Sequence, residues 1–167
     1  RAAAMAAQMD LVWARWDQAA KTWTEPAALL AANSVVDFAP LLCGPMTNGD
    51  ALLLWTRDYD NQLISTNPAQ HRVGSRLWRA ATQSWVATPS AATGQTYQLS
   101  QSLAGSGNRA VYAWTRDADG VLTNDTDQEV FYCEWADGTW GPVTQYATNS
   151  VADKNARAAV SPSGDAY

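Results

Sequence analysis

The residues best placed to do chemistry lie in two acidic stretches. One reads Asp58-Tyr59-Asp60-Asn61, and the other runs Asp117-Ala118-Asp119-Gly120 and on to Asn124-Asp125-Thr126-Asp127. Carboxylates spaced around a glycine turn suit calcium, which takes roughly six to eight hard oxygen ligands. Asp117, Asp119, Asp125 and Asp127 are therefore the candidate metal ligands, and the shorter stretch is a weaker copy. Their spacing departs from the Asp-x-Asp-x-Asp-Gly ligand loop. Because Asp, Asn and Gly are also common turn formers, a plain turn is the more economical reading.

Little else points to catalysis. His71 is the only histidine and sits in a Pro/Gln/Arg-rich stretch, where a lone histidine is expected to be solvated. Cys43 and Cys133 lie 90 residues apart and match no zinc or redox spacing, so buried free thiols are expected ahead of a disulfide. There is no nucleophile elbow, phosphate-binding glycine loop or metalloprotease motif, and no catalytic residue is assigned. With 11 basic and 16 acidic residues the net charge is −5, which leaves no cationic surface for nucleic acid. Apolar runs such as 51–55 fall far short of the ~20 residues of a spanning helix. The chain starts without Met and stops at what reads as the opening of a strand, so it is expected to be a piece of a longer protein.

The elements that would position these residues emerge from internal repetition. Trp55-Thr56-Arg57-Asp58 returns as Trp114-Thr115-Arg116-Asp117, a shift of 59 residues. Asn33-Ser34-Val35-Val36-Asp37 returns as Asn149-Ser150-Val151-Ala152-Asp153, a shift of 116, and Gly49-Asp50-Ala51 returns as Gly164-Asp165-Ala166, a shift of 115. A hairpin closed by Trp occurs three times, ending at Trp23, Trp85 and Trp140. These landmarks agree on a period near 58 residues, the mark of a repeat architecture.

Each period holds four short segments rich in β-branched and aromatic residues. In one repeat these are 38–44, 50–57, 74–80 and 84–88, separated by Gly, Pro, Asn and Asp. Asn48-Gly49, Gly105-Ser106-Gly107-Asn108 and Ser163-Gly164 supply the positive φ of tight hairpins between first and second strands, and Asp137-Gly138 does so between third and fourth. Helix is a minority alternative at 1–8 and 25–32, where alanine and leucine have good propensity. One small sheet cannot cover both its faces and must stack on its neighbours. The expected fold is therefore all-β, a partial β-propeller of four-stranded antiparallel blades. The expected divisions are 1–33, the end of a preceding blade; 34–90 and 91–148, complete blades; and 149–167, the start of a following one.

Two further readings follow from the repeat. Trp55 and Trp114, like Trp23, Trp85 and Trp140, recur at fixed positions, so they are expected to pack blade on blade rather than bind sugar. The roles of Trp13, Trp16, Trp78 and Trp135 stay open. Arg57 and Arg116 are expected to be structural, pairing with their neighbours Asp58 and Asp117.

The string Asp125-Thr126-Asp127-Gln128-Glu129-Val130-Phe131-Tyr132, with Asp137-Gly138-Thr139-Trp140-Gly141-Pro142-Val143, resembles the blade of sialidase-type (BNR, Asp-box) propellers. The Asp, Gly and Trp of the box are kept; its Ser and full spacing are not, and the turns at 17–23 and 80–85 lack the Asp-Gly pair. The resemblance implies the propeller fold and a secreted or cell-surface setting, without implying an enzyme. A sialidase-like site would need an arginine cluster, a Tyr nucleophile with a Glu partner and an acid Asp, gathered from several blades. The expected role is a non-catalytic binding or assembly scaffold; the alternative is a fragment of a glycoside hydrolase whose catalytic residues lie in other blades. No organic cofactor is expected, and calcium is the one ion the loops could hold. Expected partners are a protein or carbohydrate ligand and the rest of the propeller, or another copy, closing the ring.

Overall fold

A computed structural model describes residues 9–30, 35–60, 70–91, 98–117, 126–147 and 151–167. Two sheets dominate it. The first joins β5 (Val36–Cys43), β6 (Ala51–Asp58), β7 (His71–Arg79) and β8 (Ser84–Ala87) in simple antiparallel order. The second joins β9 (Gln98–Ser106), β10 (Arg109–Asp117), β11 (Gln128–Ala136) and a fourth strand broken into β12 (Thr139–Trp140) and β13 (Thr144–Gln145). Gly141 and Pro142 lie in that break, where Pro can donate no ladder bond and the Gly141 N–H still reaches the Glu134 carbonyl at 2.8 Å.

Before these sheets lies a hairpin of four short segments, β1 (Val12–Trp13), β2 (Trp16–Asp17), β3 (Thr22–Trp23) and β4 (Ala27–Ala28). β1 pairs with β4 and β2 with β3, so they form one interrupted hairpin. No α-helix occurs among the described residues: in the helical alternative at 25–32, residues 25–30 hold β4 and no helix, while 31–32 and 1–8 lie outside the described residues. After the second sheet, 151–167 runs without an assigned strand apart from an isolated antiparallel Val160–Ala166 bridge.

The same docking bond recurs at the two ends. The Asp37 N–H donates to the Met9 carbonyl at 3.0 Å, and the Asp153 N–H donates to the Gln128 carbonyl at 2.7 Å. The last segment also touches β9, through a Ser100 Oγ to Asn155 Oδ1 bond of 3.2 Å and an Ala158 N–H to Ser102 Oγ bond of 3.0 Å, so it runs beside that strand.

One recurring feature is absent from any simple alternation of residues. In β5, Ala39 and Pro40 stand opposite Trp55; in β9, Ser100 and Gln101 stand opposite Trp114. Two residues facing one make a β-bulge, which turns the strand and adds twist. Its first residue has positive φ each time, 50° at Ala39, 42° at Ser100, and 58° at the corresponding Asn155 of the last segment. Left-handed backbone at an L-residue costs roughly 1–2 kcal/mol, so its repetition marks a shared packing demand.

Candidate functional site

The distinctive chemistry lies at the seams between units. The first seam joins the hairpin to the first sheet. Leu53 and Trp55 of β6 face it, packing with Leu29, Leu11 and Trp13. Trp13 meets Trp78 at 5.1 Å and Trp85 at 6.0 Å between ring centroids. The Trp55 indole lies flat over Gly74, the residue paired with it on β7, and no side chain would fit between them.

Beneath this indole a buried carboxylate gathers three donors. Trp55 Nε1 donates to Asp37 Oδ1 at 2.7 Å, while Arg57 donates from Nε to Oδ1 at 2.7 Å and from a terminal nitrogen to Oδ2 at 2.9 Å. The two-pronged bond to Asp37 holds the guanidinium protonated, raising its pKa above the ordinary arginine value. Arg57 is thus structural as expected, but its carboxylate is Asp37 on the neighbouring strand rather than adjacent Asp58. A side chain two positions after Trp55 shares its face, whereas Asp58 turns to the opposite one. Arg116 instead lies over the Phe131 ring at 4.6 Å.

The second seam joins the two sheets. Leu54 and Val73 meet Tyr112, Trp114, Phe131 and Cys133, while Cys43, Met46, Leu52 and Leu77 meet Ala110 and Trp135. Tyr112 stacks on Trp114 at 4.8 Å. Both thiols are free and buried, and burial, with the nearby Glu134 charge, pushes the Cys133 thiol up to about 12. A polar chain crosses the seam: Gln101 Nε2 donates to Thr56 Oγ1 at 2.7 Å, and Tyr112 Oη donates to Gln101 Oε1 at 2.8 Å. Desolvation raises the Tyr112 pKa well above the usual phenol, so the hydroxyl stays a donor.

At the third seam, between the second sheet and 151–167, Thr115 repeats Thr56, but the position of Gln101 is taken by Ala156, and the Thr115 hydroxyl is buried without a partner among the described residues. The same change therefore has opposite effects at the two sites. Thr56→Val strips Gln101 of its acceptor and should cost about 1–2 kcal/mol, whereas Thr115→Val should be neutral or stabilising by up to about 1 kcal/mol in denaturant unfolding.

Three of the four tryptophans left open by sequence form a matched series. Trp16, Trp78 and Trp135 on third strands pair directly with Trp23, Trp85 and Trp140 on fourth strands. Ring centroids lie 5.6, 5.6 and 5.4 Å apart, at 66°, 62° and 66°. Cross-strand aromatic pairs of this kind stabilise a sheet and present one broad apolar face.

The acidic stretches are only partly described. Asp117 is buried at the end of β10 opposite Gln128, and Asp127 precedes β11; Asp119 and Asp125 lie outside the described residues. No group of three or more potential metal ligands occurs among the described residues. His71 corrects its expectation. It opens β7, is 4% exposed and has Nε2 3.7 Å from Asp58 Oδ1. The β6–β7 ladder extends to an Asp58–His71 pair, which draws the histidine out of the loop and into the sheet. Burial lowers its pKa, against the raising effect of Asp58 and Asp60, so the ring is neutral at neutral pH.

At the third seam a cavity of roughly 480 Å³ opens between the far face of the second sheet and 153–167, lined by Val111, Ala113, Tyr132, Tyr146 and Tyr167 among others. No helix of the described residues is long and apolar enough to cross a membrane.

No family model matches the chain, and no curated protein matches it. Among solved structures it is similar to one described as the structure of the Dos1 propeller, with 14% identity and a TM-score of 0.50 over 92% of this chain. The match spans 34% of that structure's own chain. Four-stranded antiparallel sheets stacked in series, together with this likeness, establish an all-β fold built as part of a β-propeller.

Proposed function

We propose that the chain is a non-catalytic propeller segment serving as a binding or assembly scaffold in a secreted or cell-surface protein. The observation that carries this reading is the use of its conspicuous polar groups in holding strands together. Asp37 gathers Trp55 and Arg57, and Asp50 accepts from Asn48, Arg79 and the Ala80 N–H. The extracellular setting rests on the resemblance to sialidase-type blades. The test is an assay of purified protein on sialosides and other glycosides: no turnover is expected, and turnover on any of them would refute the scaffold reading.

The alternative, a fragment of a sialidase-like glycoside hydrolase, rests on the resemblance alone, and under that reading the arginine cluster and the Tyr nucleophile come from other blades. A calcium ion across Asp117, Asp119, Asp125 and Asp127 is compatible with either reading. It predicts a melting temperature that rises with added calcium and falls with chelator, a response lost in an Asp119→Asn, Asp125→Asn double variant.

A further inference from the structure

Charge is spread unevenly along the chain. Residues 61–116 contain five arginines and no Asp or Glu, so all 16 acidic residues of a chain with net charge −5 lie outside this stretch. Two of those arginines join Arg57 at the first seam, where a cavity of roughly 270 Å³ is lined by Arg57, Arg72, Arg76, Leu30, Thr88 and Ser90 among others. Its lining runs from Leu30 to Ser90, so the end of the hairpin and the first sheet bound it. Arg72 stands directly opposite Arg57 in the ladder, and Arg76 shares its face of β7 with Gly74 between them. Gly74 carries no side chain, which leaves both arginine arms room to line one space beside the Trp55 ring.

The charges of this groove do not cancel. Arg57 is matched by Asp37. Arg72 donates from a terminal nitrogen to the His71 carbonyl at 2.8 Å, a neutral acceptor. Among the described residues no carboxylate lies within ion-pair distance of Arg72 or Arg76. The stretches that follow Leu30 and Asp60 in sequence, 31–34 and 61–69, contain no Asp or Glu either. The second blade fills the same places differently: Glu129 stands opposite Arg116, and the fully buried Cys133 takes the position of Arg76. Like charges facing each other across a ladder are destabilising. Two half-buried guanidiniums without a counter-charge, beside a third, therefore call for an anion from outside these strands.

We propose that this groove binds a phosphate group, as inorganic phosphate or as a small phosphomonoester. Arg72 and Arg76 carry two unmatched positive charges, and a phosphomonoester carries about −1.5 to −2 at neutral pH, so the two sides balance. Guanidinium forks grip phosphate oxygens in two-pronged fashion, and Thr88 and Ser90 add hydroxyls to the lining. A monocarboxylate leaves one guanidinium unmatched. The cavity is small beside the roughly 300–1,000 Å³ of drug-sized pockets, which suits a compact anion.

The site stands apart from both the scaffold and the hydrolase readings, so a glycosidase assay does not bear on it. The test is isothermal titration calorimetry of the purified chain at low ionic strength, where screening is weak, with inorganic phosphate, glycerol phosphate, succinate and acetate. Saturable binding of both phosphates is expected, with acetate at least about tenfold weaker. Tighter binding of glycerol phosphate marks an esterified ligand, and equal or weaker binding marks free phosphate. Arg72→Gln and Arg76→Gln should each weaken phosphate binding about tenfold, and the double variant about a hundredfold. Arg109→Gln, which removes an arginine at the start of β10, should leave it unchanged. Because Arg72 and Arg76 have no counter-charge, the double variant without ligand should unfold in urea at or above the wild-type midpoint, which separates lost binding from lost folding. The proposal is overturned by the absence of saturable phosphate binding, by acetate or succinate binding as tightly, or by phosphate binding that survives the double variant. A loss matched by Arg109→Gln, or a midpoint well below wild type, overturns it equally.

Discussion

Alanine at Gly74 should unfold the first blade. The Trp55 indole rests directly on the Gly74 backbone, and a Cβ there would overlap the ring atoms Cε2, Cζ2 and Nε1. The ring cannot swing away, because Trp55 is 2% exposed and its Nε1 is held on Asp37. Overpacking a closed core costs about 1–3 kcal/mol when neighbours can shift. Here the shift would also break a buried hydrogen bond, worth about 1–3 kcal/mol more when its acceptor is a charged group. The combined loss, about 2–6 kcal/mol, is a large share of the roughly 5–15 kcal/mol typical of a whole domain. Urea unfolding followed by tryptophan fluorescence checks it, and a midpoint within error of wild type would show that the indole is not on the glycine. Position 131 of the second blade, the equivalent of Gly74, holds Phe stacked on Trp114 at 6.1 Å, so this sensitivity belongs to the first blade alone.

Removing the Asp37 carboxylate should be about as severe. Asp37→Ala takes the partner from a guanidinium that is 24% exposed and from the indole N–H of Trp55. Breaking a fully buried ion pair from one side costs about 3–5 kcal/mol; partial access of Arg57 to water places the expected loss near the lower end, about 3 kcal/mol. Asp37→Asn keeps an acceptor without the charge and should fall between. The double variant Asp37→Ala/Arg57→Met should recover part of the loss, since it removes the stranded charge as well. Equal stability of the single and double variants would show that the pair is not coupled.

Recurrence was the property most legible in sequence. The period, the turn glycines and the fixed places of Trp55 and Trp114 are local patterns, and the structure places both indoles on the face toward the preceding unit. Gly49, Gly107, Gly138 and Gly164 all have positive φ, as their turns required. What escaped the sequence depends on partners across strands. Trp16, Trp78 and Trp135 gain meaning only when paired with the closing tryptophans, a register fixed by turns of unequal length. Asp37 ends one of the repeated strings, yet its bond to Arg57 spans 20 residues, and adjacent Asp58 offered a nearer but wrongly facing carboxylate. His71 moved from loop to sheet for the same reason, because ladder length is set by the facing strand. The bulges left only Pro40 as a signal, and two of the three positive-φ residues, Ala39 and Ser100, are not residues that favour such backbone.

The account stands on the two sheets meeting as consecutive blades, and through-space proton contacts measure that directly. A nuclear Overhauser spectrum should link the Trp135 indole to the methyl groups of Leu52 and Leu77, and the Gly105 α-protons to the Cys43 β-protons, whose sulfur lies against that glycine. Cross-peaks between the indoles of Trp55 and Trp114 instead, with those links absent, would mean that the sheets face each other as a sandwich and would contradict the stacking of blades.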